Sequence, residues 1–183
     1  MELTQFRFPG SFMLLPKVSK DQRGVFVKTF EEATFRSLGL RTDFVERFFS
    51  VSHRGVIRGL HFQVPPHEHF KVVTCALGVV MDVSVDLRVG SPTYRQTEIV
   101  ELNDTNECML YLPPGIAHGF LTRSEVSVVT YEVTSAHSPS HDMGIRWDSI
   151  PLDWAVESPI ISERDRSLPM LGQFETPFRY QTE

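Results

Sequence analysis

Polar and apolar residues alternate through the middle of the chain with the period of two that is typical of β-strands. In VMDVSVDLR (80–88), Val83, Val85 and Leu87 fall on one face of an extended backbone and three polar residues on the other. The segment GVIRGLHFQVPPHEHFKVVTC (55–75) is interpreted as two apolar strands flanking a proline turn. Further strands are predicted in stretches rich in β-branched and aromatic residues, at 95–102, 108–113 and 125–133.

Short turn clusters rich in Gly, Pro, Asn and Ser separate these strands, at 89–94, 102–107, 113–119 and 135–142. Closely spaced strands with almost no helical period favour an all-β fold, either a double-sheet jelly roll or a barrel. One short helix is predicted at 30–39, ending at Gly39, and SERD (162–165) could open a helical turn in the tail. The length of 183 residues favours a single domain over 1–183.

Composition and charge exclude several classes of partner. The net charge of −5 leaves no general basic surface for nucleic acid or an anionic membrane. The longest apolar run, at 75–83, is interrupted by Gly78 and Asp82 and is too short to span a bilayer. The N-terminus lacks the features of a signal peptide, and the two cysteines form neither a CxxC motif nor a disulfide framework. We therefore expect a cytoplasmic protein.

Several ionisable residues lie inside apolar strand segments, namely Arg58, His61, Lys71, His118 and Tyr131. Burying a charge costs several kcal/mol unless it has a partner. Each residue alone has an ordinary explanation, because histidine and tyrosine often pack in sheets and lysine can extend to the rim. Their recurrence on strands that would surround one cavity favours an active site in which burial tunes pKa values.

Arg58 and His61 are an odd number of residues apart, so a regular strand would direct them to opposite faces. Both can face one cavity only if the strand is irregular between them. Gly59 is a suitable position for a bulge or twist.

A metal site is an alternative interpretation of the histidines. HEH (67–69) and PPGIAH (113–118) resemble the two halves of a metal-binding cupin motif, and three imidazoles could hold a divalent ion. Where such cupins have a glutamate after the second histidine, this chain has FKVVTC (70–75), and Lys71 would place a positive charge beside the metal. We therefore expect no metal.

Five motifs together resemble those of the dTDP-4-dehydrorhamnose 3,5-epimerase family. They occur in the family's order and cover about residues 14–171: DQRGVF (21–26), SVSHRGVIRGLHFQ (50–63), VMDVSVDLRVGSPTY (80–94), LPPGIAHGF (112–120) and SERD (162–165). The resemblance implies a cupin-type double-sheet jelly roll, a homodimer and no metal or cofactor. It also implies that the substrate is a nucleotide-linked 4-keto-6-deoxy sugar.

In that family a base removes an acidic C–H proton beside the sugar carbonyl, and an acid returns a proton from the other face. By position, the resemblance makes His61 the base and Asp165 the carboxylate that orients it. It places Lys71 near the carbonyl oxygen, to stabilise the enolate, and makes Tyr131 the acid.

The resemblance also implies a set of substrate contacts: Arg23, Phe26, Lys28, Glu46, Phe48, Arg58, Gln63, His118, Asp142 and Arg164. The three arginines fit contacts to the diphosphate or nucleotide. Asp82 is a candidate to orient His118.

The chain departs from the family pattern at several recognition positions. Lys28 replaces a glutamate, Glu46 and Phe48 replace a Gln-x-Asn pair, Asp142 replaces a glutamate and His137 replaces a tyrosine. Arg164 stands where lysine is usual. Loss or reversal of a polar partner changes which ligand is accepted. An ordinary 3,5-epimerase, a C3-only epimerase on an unusual nucleotide sugar, a sugar 3,4-ketoisomerase and a non-catalytic sugar-nucleotide-binding cupin therefore stay open.

Overall fold

The computed structural model describes residues 1–181 and is mostly β. Its strands are β1 (Glu2–Gln5), β2 (Phe12–Leu15), β3 (Val18–Asp21), β4 (Gly24–Val27), β5 (Glu46–His53), β6 (Ile57–Gln63), β7 (Lys71–Leu77), β8 (Val79–Asp86), β9 (Thr97–Asn103), β10 (Met109–Leu112), β11 (Ile116–Thr122), β12 (Val126–Val133) and β13 (Asp142–Gly144). Its helices are α1 (Glu32–Ser37), α2 (Glu163–Ser167) and a 3₁₀ turn (Trp147–Ser149). No helix within residues 1–181 is long and apolar enough to cross a membrane.

The strands form two larger antiparallel sheets and one separate hairpin. The six-stranded sheet has the order β1-β2-β10-β7-β12-β5, and the five-stranded sheet has the order β13-β6-β11-β8-β9. Among the strands of residues 1–181, β3 and β4 pair only with each other. Apolar side chains from both larger sheets pack in one core cluster, which includes Val73 and Val129 from the first sheet and Val80 and Phe120 from the second. The two sheets therefore face each other.

The outer faces of the sheets are partly covered by the rest of the chain. The tail supplies Ile145, Trp154 and Phe178, which pack against the outer face of the five-stranded sheet. Phe35 of α1 packs in a third cluster with Leu14 of β2, against the other sheet. Burial of these apolar surfaces is the main stabilising contribution, at roughly 25 cal/mol per Å².

The alternating pattern of β8 has both faces buried. Val83 and Val85 pack toward the tail, whereas Asp82 and Ser84 are almost completely inaccessible to solvent. The polar face of β8 therefore points into the protein rather than into water. Asp82 is available there to interact with the neighbouring strand β11.

Strand β6 is irregular at Gly59, as the sequence predicted. Its pairing with β11 shifts register between His118 and Phe120, opposite this position. Gly59 has a φ of +121°, and a Cβ there would lie 2.6 Å from the Cα of Gly119. Only glycine fits such a position. The irregularity lets Arg58 and His61 line the same cavity.

Candidate active site

A cavity of about 450 Å³ opens between the two sheets. It brings together most of the predicted site residues: Glu46, Phe48, Arg58, His61, Gln63, Lys71, His118, Tyr131, Asp142 and Arg164. His61 and His118 come from the five-stranded sheet, whereas Lys71 and Tyr131 come from the six-stranded sheet. A ligand in this cavity would therefore have imidazole groups on one side and an amine and a phenol on the other.

His61 is held by a buried carboxylate. Its Nε2 lies 2.7 Å from Oδ1 of Asp165, and Oδ2 of Asp165 accepts a hydrogen bond from the Gly59 N–H at 3.1 Å. Burial alone would raise the pKa of Asp165, but the hydrogen bonds from His61 and Gly59 and the charge of Arg164 lower it below its ordinary value. The ionised carboxylate orders the ring so that Nε2 donates and Nδ1 carries the lone pair.

Asp165 reaches His61 because helix α2 begins beside the cavity. Ser162 caps this helix, and its Oγ accepts a hydrogen bond from the Asp165 N–H at 3.1 Å. The SERD motif therefore supplies both the cap and the carboxylate.

A second His–Asp pair lies deeper in the protein. Nε2 of His118 is 2.6 Å from Oδ2 of Asp82, and both side chains are buried. The proposed orientation of His118 by Asp82 is therefore confirmed. The ring of His118 also makes an edge contact with Tyr131, with the ring centroids 6.0 Å apart.

Tyr131 keeps its proton in this environment. Burial raises the pKa of the phenol, and the negative charge of Asp82 raises it further. A protonated phenol can donate a proton or a hydrogen bond but cannot act as a base.

Lys71 is a buried amine in the wall of the cavity, and its Nζ donates to the backbone oxygen of His61 at 3.3 Å. Burial lowers the pKa of Lys71 from 10.5 to about 8, although the carboxylates of Asp82 and Asp142 oppose this change. The ammonium is therefore largely present at neutral pH and is poorly compensated. It would be stabilised by an oxygen anion that forms beside it.

Two arginines add positive charge along the cavity. Arg58 is fixed by hydrogen bonds from its Nε to Ser52 Oγ at 2.9 Å and from its Nη2 to the Val51 oxygen at 3.2 Å. Arg164 lies at the rim and pairs with Asp142, with 2.8 Å between Nη2 and Oδ2. Both guanidinium groups retain free donors for an anionic ligand.

Glu46 and Gln63 form part of the wall but already have protein partners. Oε2 of Glu46 accepts a hydrogen bond from the His137 N–H at 2.8 Å. The amide of Gln63 donates to the backbone oxygens of His67 and Ala136 and accepts from the Ser138 N–H at 2.6 Å. Gln63 therefore connects the two loops that border the cavity.

Three predicted contact residues, Arg23, Phe26 and Lys28, do not line this cavity. They lie in and just after the β3–β4 hairpin, which forms no sheet with the strands of the site. Arg23 pairs with Asp21, Lys28 pairs with Glu31, and Phe26 is 65% exposed. Within one chain, none of these three side chains forms part of the cavity wall.

The histidines of the metal alternative make separate contacts. The ring of His67 contacts that of His141 at a tilt of 40°, with the centroids 4.5 Å apart, and Nδ1 of His69 lies 3.2 Å from the Gln63 amide nitrogen. Burial and the charge of Lys71 lower the pKa of His69 to about 3. Across residues 1–181, no group of three or more His, Cys, Asp and Glu side chains is arranged to hold a metal ion.

The sequence did not identify Ser50, His69 and Ser135 as cavity residues. Ser50 could have been found from the alternation along β5, because Glu46 and Phe48 were already assigned to the site and Ser50 is next on that face. His69 and Ser135 lie in loops, and no periodicity predicts their direction.

Comparison with known proteins identifies the family. The sequence profile of the dTDP-4-dehydrorhamnose 3,5-epimerases matches residues 5–173. The chain belongs to this family. The Methanothermobacter thermautotrophicus enzyme of that name is 42% identical over 175 residues, which cover 90% of this chain and 94% of the relative.

Two further relatives show the range of the family. A dTDP-4-dehydrorhamnose 3-epimerase from Streptomyces niveus is 37% identical, over 94% of this chain and 85% of its own length. The crystal structure of a dTDP-6-deoxy-D-glucose-3,5-epimerase from Legionella pneumophila, in complex with dTDP-4-keto-L-rhamnose, matches with a TM-score of 0.93. It is 31% identical, and the match covers 99% of each chain. Family members of similar sequence therefore carry names for epimerisation at either one or two carbons.

Proposed function

We propose that the protein epimerises a dTDP-linked 4-keto-6-deoxyhexose at C3, C5 or both, without a metal or cofactor. The observation that carries this proposal is the arrangement across the cavity. His61, held by Asp165, projects from one sheet, and protonated Tyr131 faces it from the other. An epimerase needs this pairing because the proton must leave one face of the carbon and return to the opposite face.

Nδ1 of His61 removes the proton from the carbon beside the C4 carbonyl and becomes protonated. The electron pair of the broken C–H bond moves into the C3–C4 or C4–C5 bond, and the carbonyl oxygen becomes an enolate oxygen. The Lys71 ammonium stabilises that oxygen, an effect worth several kcal/mol in a site that excludes water. Tyr131 then donates its proton to the carbon from the other face, and exchange with solvent restores both groups.

The cationic residues fit the rest of the substrate. Arg58 and Arg164 can each present two parallel N–H donors to a diphosphate. His118 is held beside Tyr131 by Asp82 and would contact the sugar. Asp142 and Glu46 carry negative charge at the rim and would contact neutral hydroxyl or N–H groups of the ligand.

A second subunit would account for the remaining predicted contacts. We propose a homodimer in which the β3–β4 hairpin of one protomer brings Arg23, Phe26 and Lys28 to the cavity of its partner. Two pairs of exposed apolar side chains support such a contact: Val25 and Phe26 on that hairpin, and Phe49 and Val51 on edge strand β5. Exposed apolar side chains that occur together are typical of an interface.

Each protomer would be one cupin-type jelly roll over 1–183, with the two large sheets as its layers. The cytoplasm stays our expectation for its location, with no nucleic acid or membrane partner.

Proton NMR in D₂O tests the function. The purified protein is incubated with dTDP-4-keto-6-deoxyglucose, and the signals at C3 and C5 are followed with His61→Ala as the control. We expect deuterium at one or both carbons with the wild type and none with the variant. Absence of exchange in the folded wild-type protein would overturn the proposed activity on this substrate.

Epimerisation at C3 alone is the second candidate. The position just before the Ser138–Pro139 turn holds the exposed His137 in place of the family's tyrosine, and a named 3-epimerase is 37% identical. Deuterium at C3 without deuterium at C5 would select this alternative.

A further inference from the structure

The inner face of β5 contains two residues that act on Tyr131. Strand β5 pairs with β12 so that Phe48 lies directly opposite Tyr131. Ser50 is opposite Val129, which makes it the diagonal neighbour of Tyr131 on the same face. Side chains at such directly opposite and diagonal positions are within reach of each other.

Phe48 stacks face to face on Tyr131. The ring centroids are 4.9 Å apart and the ring planes are inclined by only 16°. The stack covers one face of the phenol and restricts rotation of the ring about its Cβ–Cγ bond. Because a phenolic O–H lies in the plane of its ring, fixing that plane limits the directions in which the proton can be delivered.

Phe48 has little to do with the core of the fold. It is 48% exposed and lies in none of the three apolar clusters formed by residues 1–181. An aromatic ring that is half exposed on an edge strand buries little apolar surface and therefore stabilises the core only slightly. Its main contact of aromatic type is the one with Tyr131.

Ser50 acts on the polar end of the phenol. Burial and the charge of Asp82 raise the pKa of Tyr131, and the Ser50 hydroxyl, which lies near the phenol without a formed hydrogen bond to it, lowers that pKa by a smaller amount. The Ser50 Oγ is buried and has no hydrogen-bond partner within the described part of the chain. A buried hydroxyl without a partner is unfavourable unless it bonds to a neighbour or ligand at some stage.

We propose that Phe48 and Ser50 are positioning residues for the proton-donating Tyr131. Phe48 fixes the plane of the phenol ring. Ser50 hydrogen-bonds to the phenol oxygen when a proton leaves it, which stabilises the developing phenolate. This inference rests on the proposed function, since it assumes that Tyr131 returns a proton to the substrate.

The two steps of the reaction can be separated in D₂O. His61 can take a proton, exchange it with solvent and return deuterium to the same face, which labels the carbon without inverting it. Inversion needs correctly placed Tyr131. If Tyr131 is misplaced, inversion slows more than exchange with retained configuration, so the ratio of exchange to inversion rises. A general loss of folded protein lowers both rates equally and leaves their ratio unchanged.

The test compares Phe48→Leu and Ser50→Ala with wild type on dTDP-4-keto-6-deoxyglucose. We expect inversion to slow about 10-fold in each variant while exchange with retention changes less than about 2-fold. Phe48→Tyr, which keeps the stacked ring, should restore the wild-type ratio. Phe44→Leu is the matched control, because this substitution also removes aromatic ring contacts, those with Phe30 and Phe35, but at a position outside the cavity. It should leave the ratio unchanged.

The outcomes separate the two proposals. If the wild-type protein shows no exchange, the proposed function fails and this inference fails with it. If wild type exchanges and inverts but Phe48→Leu and Ser50→Ala keep the wild-type ratio, the positioning role is overturned and the epimerase function stands. An equal fall of both rates in the folded variants would also overturn it, because such a fall indicates a role in binding or stability.

Discussion

Replacement of Lys71 with methionine should slow catalysis and stabilise the fold at the same time. Methionine keeps the length and apolar stem of the side chain and removes the charge. The residue is 8% exposed, and within residues 1–181 its Nζ makes one hydrogen bond, a long one to the backbone oxygen of His61. The charge therefore has little compensation until a ligand arrives.

The lowered pKa of Lys71 gives the size of the free-energy cost of its buried charge. A fall from 10.5 to about 8 corresponds to roughly 3 kcal/mol that opposes the charged amine in the folded protein. An enolate oxygen would recover much of this energy, so we expect Lys71→Met to lower kcat by about 10²- to 10³-fold, the usual loss for an oxyanion donor. Removal of an uncompensated buried charge should also raise the free energy of unfolding by about 1–3 kcal/mol at pH 7.

The sign of the pH dependence follows from the same pKa. Between pH 8 and 10.5 the unfolded chain holds a proton on Lys71 that the folded chain has released, so wild-type stability rises with pH in this window. The stability advantage of Lys71→Met should therefore be largest below pH 8 and disappear above about pH 10.5. Wild-type kcat should fall as pH rises through about 8, and the variant should lack this fall.

The assay combines urea unfolding at several pH values with kcat from NMR time courses. Lys71→Arg is a useful companion, because it keeps a charge that does not titrate in this range. If Lys71→Met is less stable than wild type at pH 7, the buried charge of Lys71 does not destabilise the fold. If the variant retains wild-type kcat, Lys71 does not stabilise the enolate.

Three further predictions concern other parts of the site. Asp165→Asn should lower kcat about 10- to 100-fold, because the charged partner of His61 is lost. Steady-state kinetics would measure this loss, and an unchanged kcat would show that the charge of Asp165 does not assist His61. Gly59→Ala should destabilise the fold by at least about 2 kcal/mol in urea unfolding, because the added Cβ would collide with Gly119. An unfolding midpoint equal to that of wild type would show that β6 can shift away from Gly119. Phe26→Asp should shift the protein from dimer to monomer in analytical ultracentrifugation and reduce activity. A fully active monomer would argue against a hairpin shared between subunits.

The strands and the central histidines could be predicted from local patterns. Alternation located β8, and β-branched and aromatic content located β12. The parity of Arg58 and His61 required an irregularity if both face one cavity, and the structure has it at Gly59. The SERD segment carried both a cap and the carboxylate for His61. Each of these features is determined by residues that are close together in the sequence, or belongs to a motif that occurs in the family's order.

Other features depend on contacts between distant segments. No local pattern shows that the polar face of β8 points toward His118 rather than toward water. The stack of Phe48 on Tyr131 follows from the register between β5 and β12, which lie about 80 residues apart in the sequence. The position of the β3–β4 hairpin outside the cavity could not be predicted either, because the hairpin pairs with no other strand.

The base His61 and the acid Tyr131 lie on opposite sheets, and Tyr131→Phe removes the acid alone. The variant is incubated with dTDP-4-keto-6-deoxyglucose in D₂O beside wild type and His61→Ala. We expect Tyr131→Phe to incorporate deuterium with retained configuration and to lose inversion, whereas His61→Ala should lose both. Full inversion by Tyr131→Phe, or deuterium uptake by His61→Ala, would show that these residues do not act as acid and base.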